Sequence, residues 1–156
     1  MKKQEKKPVK ELESLGVKLV QDIEKGRNPT IEFSLRSLSN VIFDEKTKTL
    51  GLGDKQQKRA FFDVRNARTF LQTLEVAKVS KNLLDVSKHA SLRDVFYMAK
   101  STIPQSSINI VDEQPESDNA IEDLELITGC SREHLNINAN KMGSVAGNVI
   151  VEDAGD

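Results

Sequence analysis

Apolar residues near the start of the chain recur at helical spacing. Leu12, Leu15, Leu19 and Ile23 fall on one stripe, which predicts an amphipathic helix over residues 10 to 25. "GRNP" stops it through Gly26 and Pro29. The period then changes: in "TIEFSL", Ile31, Phe33 and Leu35 alternate with polar residues, as in a half-buried strand. "NVIFDEKTKTLGLG" reads as two short strands about a polar turn, with Val41 and Phe43 on the first and Leu50 and Leu52 on the second. Helical spacing returns over roughly 64 to 86, where Ala67, Phe70, Leu71, Leu74 and Ala77 form the stripe. Ser91, with Asp94 three residues on, is placed to cap the next helix. "STIPQSSINIVDEQPE" breaks the pattern and reads as a loop. Ser117 or Asp118 then caps a helix carrying Ile121, Leu124 and Ile127, closed by Gly129. The tail "LNINANKMGSVAGNVIVED" reads as a hairpin turning around Gly143, with Val149 and Val151 alternating beyond it.

The order is helix, strands, three helices, hairpin, an α+β chain. Its last part follows the order of a winged helix-turn-helix domain. The expected organisation is a basic segment and helix over 1–25, short strands over 26–63 and the winged helix over 64–150.

Composition narrows the functional classes. An apolar fraction of 37% over 156 residues supports one modest core. Trp is absent and aromatics make up 4%, which leaves little material for a stacking platform. No apolar run is long enough for a membrane helix, and "MKKQEKKPVKELES" lacks the apolar stretch of a secretory signal. With Cys130 alone, no internal disulfide forms, and a reducing, cytoplasmic setting is expected. The net charge of -1 hides an asymmetry. Residues 1 to 10 carry +4, residues 54 to 100 carry +5 and residues 101 to 156 carry -9. A bipolar surface is expected, its basic part suited to a polyanion.

The stretch "SLRDVFYMAK" holds Tyr97, the one tyrosine of the chain. On a helix, Leu92, Val95, Phe96 and Ala99 make one apolar stripe, and Tyr97 lies roughly 150° from its middle. Phe96 is therefore expected to be buried and Tyr97 to face outward. Arg93 and Lys100 fall on the same side as Tyr97. Two cations around a phenol suit a phosphate and the charge on a transferring phosphoryl group. The same three residues are also an ordinary solvated helix face. Other chemistry has less support. His89, His134 and Cys130 lack the spacing of a zinc site, and "GLGDK" lacks the spacing of a phosphate-binding loop. Asp112, Glu113, Glu116 and Asp118 read as a solvated loop and helix start.

Several blocks, in order, carry a resemblance: "LRSLSNVIFDE", "LGLGDKQQKRAFFDVRNARTFLQTLEVAK", "SLRDVFYMAKSTIP", "DEQPESDNAIEDLE" and "SREHLNINANKMGSVAG". Over roughly residues 26 to 150 the chain resembles the N-terminal part of the A subunit of archaeal type IIB DNA topoisomerase, topoisomerase VI, a family related to the transesterase of meiotic recombination. The resemblance implies a winged-helix domain that binds and cuts DNA. It makes Tyr97 the nucleophile, joined to the 5′ end of the break, and Arg93 the group on the phosphate. Phe96 stands where the family more commonly has a first tyrosine. Arg59, Arg65, Arg68 and Lys100, with Arg93, are the candidate contacts to the DNA backbone, because the acidic helix "SDNAIEDLELITG" would repel phosphates. The family implies further partners: a B subunit that uses ATP, and a second copy of the A subunit. It also implies a Toprim domain, whose acidic residues bind Mg2+. The chain ends at "VEDAGD", where that domain is expected to begin, so the resemblance leaves three readings: a fragment, one half of a split subunit with the Toprim domain on a separate polypeptide, or a degenerate protein. The family's use of its N-terminal segment makes Leu12, Leu15 and Leu19 candidate contacts for the B subunit; the alternative is that they seal the local core. Location on the chromosome follows from the resemblance. Two other readings stay open: a non-catalytic winged-helix DNA-binding module, and a structural partner of the B subunit.

Overall fold

The computed structural model describes residues 6–139 and residue 147. Helix α1 covers Lys6–Glu24, four residues earlier than its apolar stripe suggests, and it ends before Gly26, whose φ of +65° suits glycine. Strand β1, Thr30–Ser34, follows. Strands β2, Val41–Asp44, and β3, Thr49–Leu52, form the expected antiparallel hairpin. Strand β4, Gln56–Ala60, pairs antiparallel with β1, Thr30 opposite Ala60. Helix α2 is Val64–Asp85. Two-residue strand β5, Ala90–Ser91, leads into α3, Leu92–Ala99. A strap over residues 100–113 connects to α4, Gln114–Thr128. A 3-10 turn over Arg132–Leu135 then leads to β6, Ile137–Asn138, which pairs parallel with β5.

Helices α2, α3 and α4 pack around Val76, Val95, Val111, Ile121, Leu124 and Leu135, and Leu12 joins the same cluster from α1. A second cluster joins Leu19 to Ile31, Phe33 and Phe70, with Leu15 touching both. Leu12 and Leu19 are only 7% and 6% exposed, so they are core residues within this chain rather than a free contact face. The apolar residues that α1 leaves exposed are Val17, Val20 and Ile23.

The β2–β3 hairpin stands away from both clusters, with every residue from 41 to 52 exposed. Its base is held by buried Asn40. That side chain donates to the carbonyls of Leu35 (2.8 Å) and Lys55 (3.2 Å) and accepts from the Lys55 N–H (3.0 Å). Gly53 is required there, because a Cβ would lie 2.8 Å from the Asn40 Oδ1.

Two helix starts test the capping signals. At α3 the box forms as expected: the Ser91 Oγ accepts from the Asp94 N–H, and the Asp94 carboxylate accepts from the Ser91 N–H at 3.0 Å. At α4 the expected Ser117 or Asp118 cap is corrected. Glu113 is the N-cap, boxed with Glu116, and Pro115 sits in the first turn. Ser117 is buried inside the helix and donates back to the Gln114 carbonyl at 2.8 Å.

The hydrogen bonds from Ser91 hold the Asp94 carboxyl below the usual range. A depressed pKa gives stability above the unfolded value and loses it as pH falls. Asp94→Ala therefore lowers the melting temperature at pH 7, and the gap from wild type closes below about pH 4. Thermal melts at pH 7, 5 and 3 check this; a gap that persists at pH 3 contradicts it.

Three helices, α2, α3 and α4, follow one another in the expected order. The hairpin expected around Gly143, with Val149 and Val151, lies outside the described residues.

Candidate nucleic-acid interface

Helix α3 is short, capped at its start and anchored by Val95 and Ala99, both fully buried. That anchoring sets the phase of its outer face. Tyr97 is 58% exposed, as its place off the stripe requires. Phe96 is half-buried rather than buried, which corrects the expectation. It lies at the edge of the stripe and packs on the core with one side. Its other side meets the Tyr97 ring, centroids 5.1 Å apart, and carries the Lys100 ammonium at 5.6 Å.

Arg93 lies one turn before Tyr97. Its Nη2 donates to the phenol oxygen at 3.4 Å, and its guanidinium lies 5.8 Å from the ring centroid. The hydrogen bond to Tyr97 and the phenol's partial charge hold the Arg93 pKa above even its ordinary high value. Among the described residues the guanidinium spends one N–H, on Tyr97, out of its five donors. One exposed helix face therefore presents a phenol hydroxyl beside the Arg93 guanidinium, with the Lys100 ammonium over the neighbouring Phe96 ring.

The other candidate DNA contacts are placed differently. Arg59, on β4, points inward: it pairs with Asp123 of α4, both side chains 13% exposed, and its guanidinium stacks on Phe33 at 5.0 Å. Burial of Asp123 outweighs the attraction of Arg59 and holds that carboxyl above its usual range. Arg68, on α2, is 49% exposed and binds Asp112 at 2.7 Å and Glu116 at 3.1 Å. Arg65 is 88% exposed and leans back on Asp63 at 3.1 Å. Arg36 and Arg132 pair with Glu122 and Glu125 of α4.

These pairs revise the expected bipolar surface. The acidic residues of α4 and its approach are met by arginines from β4, α2 and the connecting segments. Asn109 and Arg68 hold the Asp112 carboxyl low, and Lys100 adds a longer-range pull, so Lys100 and Asp112 share one electrostatic neighbourhood. Burial raises the Glu116 pKa, but the Asp112 and Glu113 N–H groups outweigh it and leave the carboxyl below its usual range. Among the described residues, no group of three or more His, Cys, Asp or Glu side chains gathers to hold a metal ion. No helix among the described residues is long and apolar enough to cross a membrane.

One polar seam could not be read from spacing alone. Arg68, Gln72 and Glu75 fall on one face of α2 at successive turns. Each reaches the strap after α3: Arg68 to Asp112, the Gln72 amide to the Ile110 carbonyl at 3.0 Å, and Glu75 to the Ser101 hydroxyl at 3.1 Å. The signal was a polar letter within an otherwise apolar helix face.

Comparison with known proteins agrees with the sequence resemblance. The family described as Type IIB DNA topoisomerase matches residues 68–137, which include α3 and the whole strap. The A subunit of type 2 DNA topoisomerase 6 from Pyrococcus abyssi is 41% identical over 150 residues, covering 96% of this chain and 39% of the relative. The protein of the same name from Hyperthermus butylicus is 38% identical over 145 residues, covering 88% of this chain and 38% of the relative. That of Sulfurisphaera tokodaii is 35% identical over 162 residues, covering 99% and 42%. The chain thus spans about two fifths of the length of these relatives.

Proposed function

We propose, from the premise that this chain is a relative of the topoisomerase VI A subunit, that it is the DNA-binding and strand-cleaving part of a type IIB DNA topoisomerase, with Tyr97 as nucleophile. The observation that carries the reading is the geometry of α3: an exposed phenol, held at 3.4 Å by an arginine, on a helix whose opposite face is locked in the core.

The chemistry is a transesterification. The Tyr97 oxygen attacks a backbone phosphorus, the bond from phosphorus to the 3′ oxygen breaks, and the 5′ phosphate stays on the tyrosine. The phenol loses its proton, the departing 3′ oxygen gains one, and one phosphoester replaces another without hydrolysis. The step is therefore reversible, as strand passage requires. Arg93 binds the non-bridging oxygens and stabilises the charge that builds there. Lys100 adds a second positive charge to the same face. Arg65 and Arg68 extend the backbone contact along α2, Arg68 by exchanging a carboxylate for a phosphate. Arg59 contributes through Asp123 and the β1–β4 pair rather than by touching DNA. This assignment favours backbone positioning over base readout.

The whole assembly needs more than this chain. Two copies cut the two strands, a B subunit uses ATP to gate a second duplex, and a Toprim domain supplies the Mg2+ site. The complex works on the chromosome. A chimera in which this chain replaces the matching segment of the Pyrococcus abyssi protein tests the proposal. With a B subunit, ATP, magnesium and supercoiled DNA, a denaturing quench is expected to trap protein covalently bound to DNA. Tight binding to one DNA sequence with no covalent product would favour the non-catalytic binding module.

A further inference from the structure

We infer that Glu75 is a positioning residue for the Tyr97 face, acting through Ser101; the inference rests on the proposed role of Tyr97. Glu75 belongs to α2, not to the helix that carries the tyrosine. Its side chain is only 10% exposed, yet it is a carboxylate. A leucine or methionine would fill such a site at lower desolvation cost. What the carboxylate adds is a directed contact: it accepts from the Ser101 hydroxyl at 3.1 Å, and from Lys78 on its outer side.

Ser101 is the first residue after Lys100, which is the C-cap of α3. Tyr97 lies one helical turn before that cap. The end of α3 has no glycine in the left-handed conformation to close it; Lys100 sits at φ −75° and ψ 76°. Closure comes from the strap instead. The Ile110 N–H donates to the Ser101 carbonyl at 2.8 Å, and Thr102 and Asn109 form a bridge beyond it. Gln72, one turn before Glu75, holds the Ile110 carbonyl. Two buried polar side chains of α2 thus grip both strands of the strap where it leaves α3. The grip fixes the register of Lys100, and through the last turn of α3 it fixes the direction of Tyr97. Misplacement of a reacting group by about 1 Å costs on the order of a hundredfold in rate.

Three variants test this: Glu75→Leu, Glu75→Gln and Ser101→Ala. Tyr97 is the one tyrosine and the chain has no Trp, so fluorescence excited in the tyrosine band, beyond phenylalanine absorption, reports on that side chain. In Glu75→Leu and Ser101→Ala, the time-resolved anisotropy of Tyr97 is expected to decay faster. Covalent adduct in the chimera should form about tenfold more slowly or worse, with duplex affinity changed by less than about twofold. Glu75→Gln keeps an acceptor for Ser101 and loses only the pair with exposed Lys78, so it should behave as wild type. The double variant should be no slower than Glu75→Leu alone, because both changes remove one interaction. Wild-type anisotropy and adduct rate in both Glu75→Leu and Ser101→Ala would overturn the inference. So would an adduct rate that falls only in proportion to DNA affinity or to the folded fraction. If Glu75→Leu does not fold, Ser101→Ala decides. If wild type itself gives no adduct, the proposed function fails, and the anisotropy of Tyr97 still decides the positioning role.

Discussion

Replacing Arg59 with alanine lowers the free energy of unfolding by about 3 kcal/mol at pH 7. Arg59 and Asp123 are both shielded from water, and Asp123 is already held above its usual pKa by burial. Removing the cation leaves that carboxylate charged and unpartnered, and it strips the guanidinium from the face of Phe33. The sign with pH follows. Without Arg59 the folded-state pKa of Asp123 rises further above its unfolded value. Such a group contributes stability below the unfolded pKa and loses it as pH rises through the folded one. The penalty is therefore largest near neutrality and shrinks toward about pH 4. Urea titrations at pH 7 and pH 4 measure both parts. Arg59→Met combined with Asp123→Leu should recover most of the loss, since the buried charge is then gone. Arg65→Ala, by contrast, should change stability little, because its pair with Asp63 is open to solvent.

The largest effect on activity is expected at Tyr97. Tyr97→Phe removes one exposed hydroxyl and leaves the core contacts of α3 in place, so the fold and the duplex affinity should survive. Adduct formation should fall below detection, because no other group on that face of α3 carries a nucleophilic oxygen at the position Arg93 serves. Arg93→Ala should act differently. It keeps the nucleophile and removes the charge beside the transferring phosphoryl group, a loss of about a hundredfold or more in cleavage rate. Arg93→Lys should recover only part of it, since an ammonium cannot grip two phosphate oxygens in a fixed plane. Rapid quench under single-turnover conditions separates these rates from binding. An Arg93→Ala enzyme that cuts at the wild-type rate would remove Arg93 from the chemistry.

Local signals in the chain were legible because they act over a few residues. The leucine spacing of α1, the alternation of Ile31 and Phe33, and the Ser91–Asp94 box each state their structure within one or two turns. The phase of α3 placed Tyr97 outward for the same reason. Strand β4 carries no such signal, because "QQKRA" has no apolar alternation. Its inward contact is made by Arg59, whose long side chain covers Phe33 before its head reaches Asp123. The buried face of α2 is wider than its apolar stripe. Gln72, Thr73, Glu75 and Ser80 are buried along with Val76 and Val79, because α2 packs on both α4 and the strap. A polar letter there signals a directed contact, and only the fold reveals its partner. Segment charges misled for a related reason. The -9 of the C-terminal part suggests an acidic face, but three arginines from elsewhere in the chain, Arg36, Arg59 and Arg68, and Arg132 from within that part meet the acids of α4 and its approach.

The most direct measurement is the identity of the atom joined to DNA. Adduct trapped from the chimera is digested with nuclease and protease, and the modified peptide is sequenced by mass spectrometry. The expected product is the α3 peptide with a nucleotide on Tyr97, linked through its 5′ phosphate. Attachment to any other residue, or linkage through a 3′ phosphate, would contradict the account.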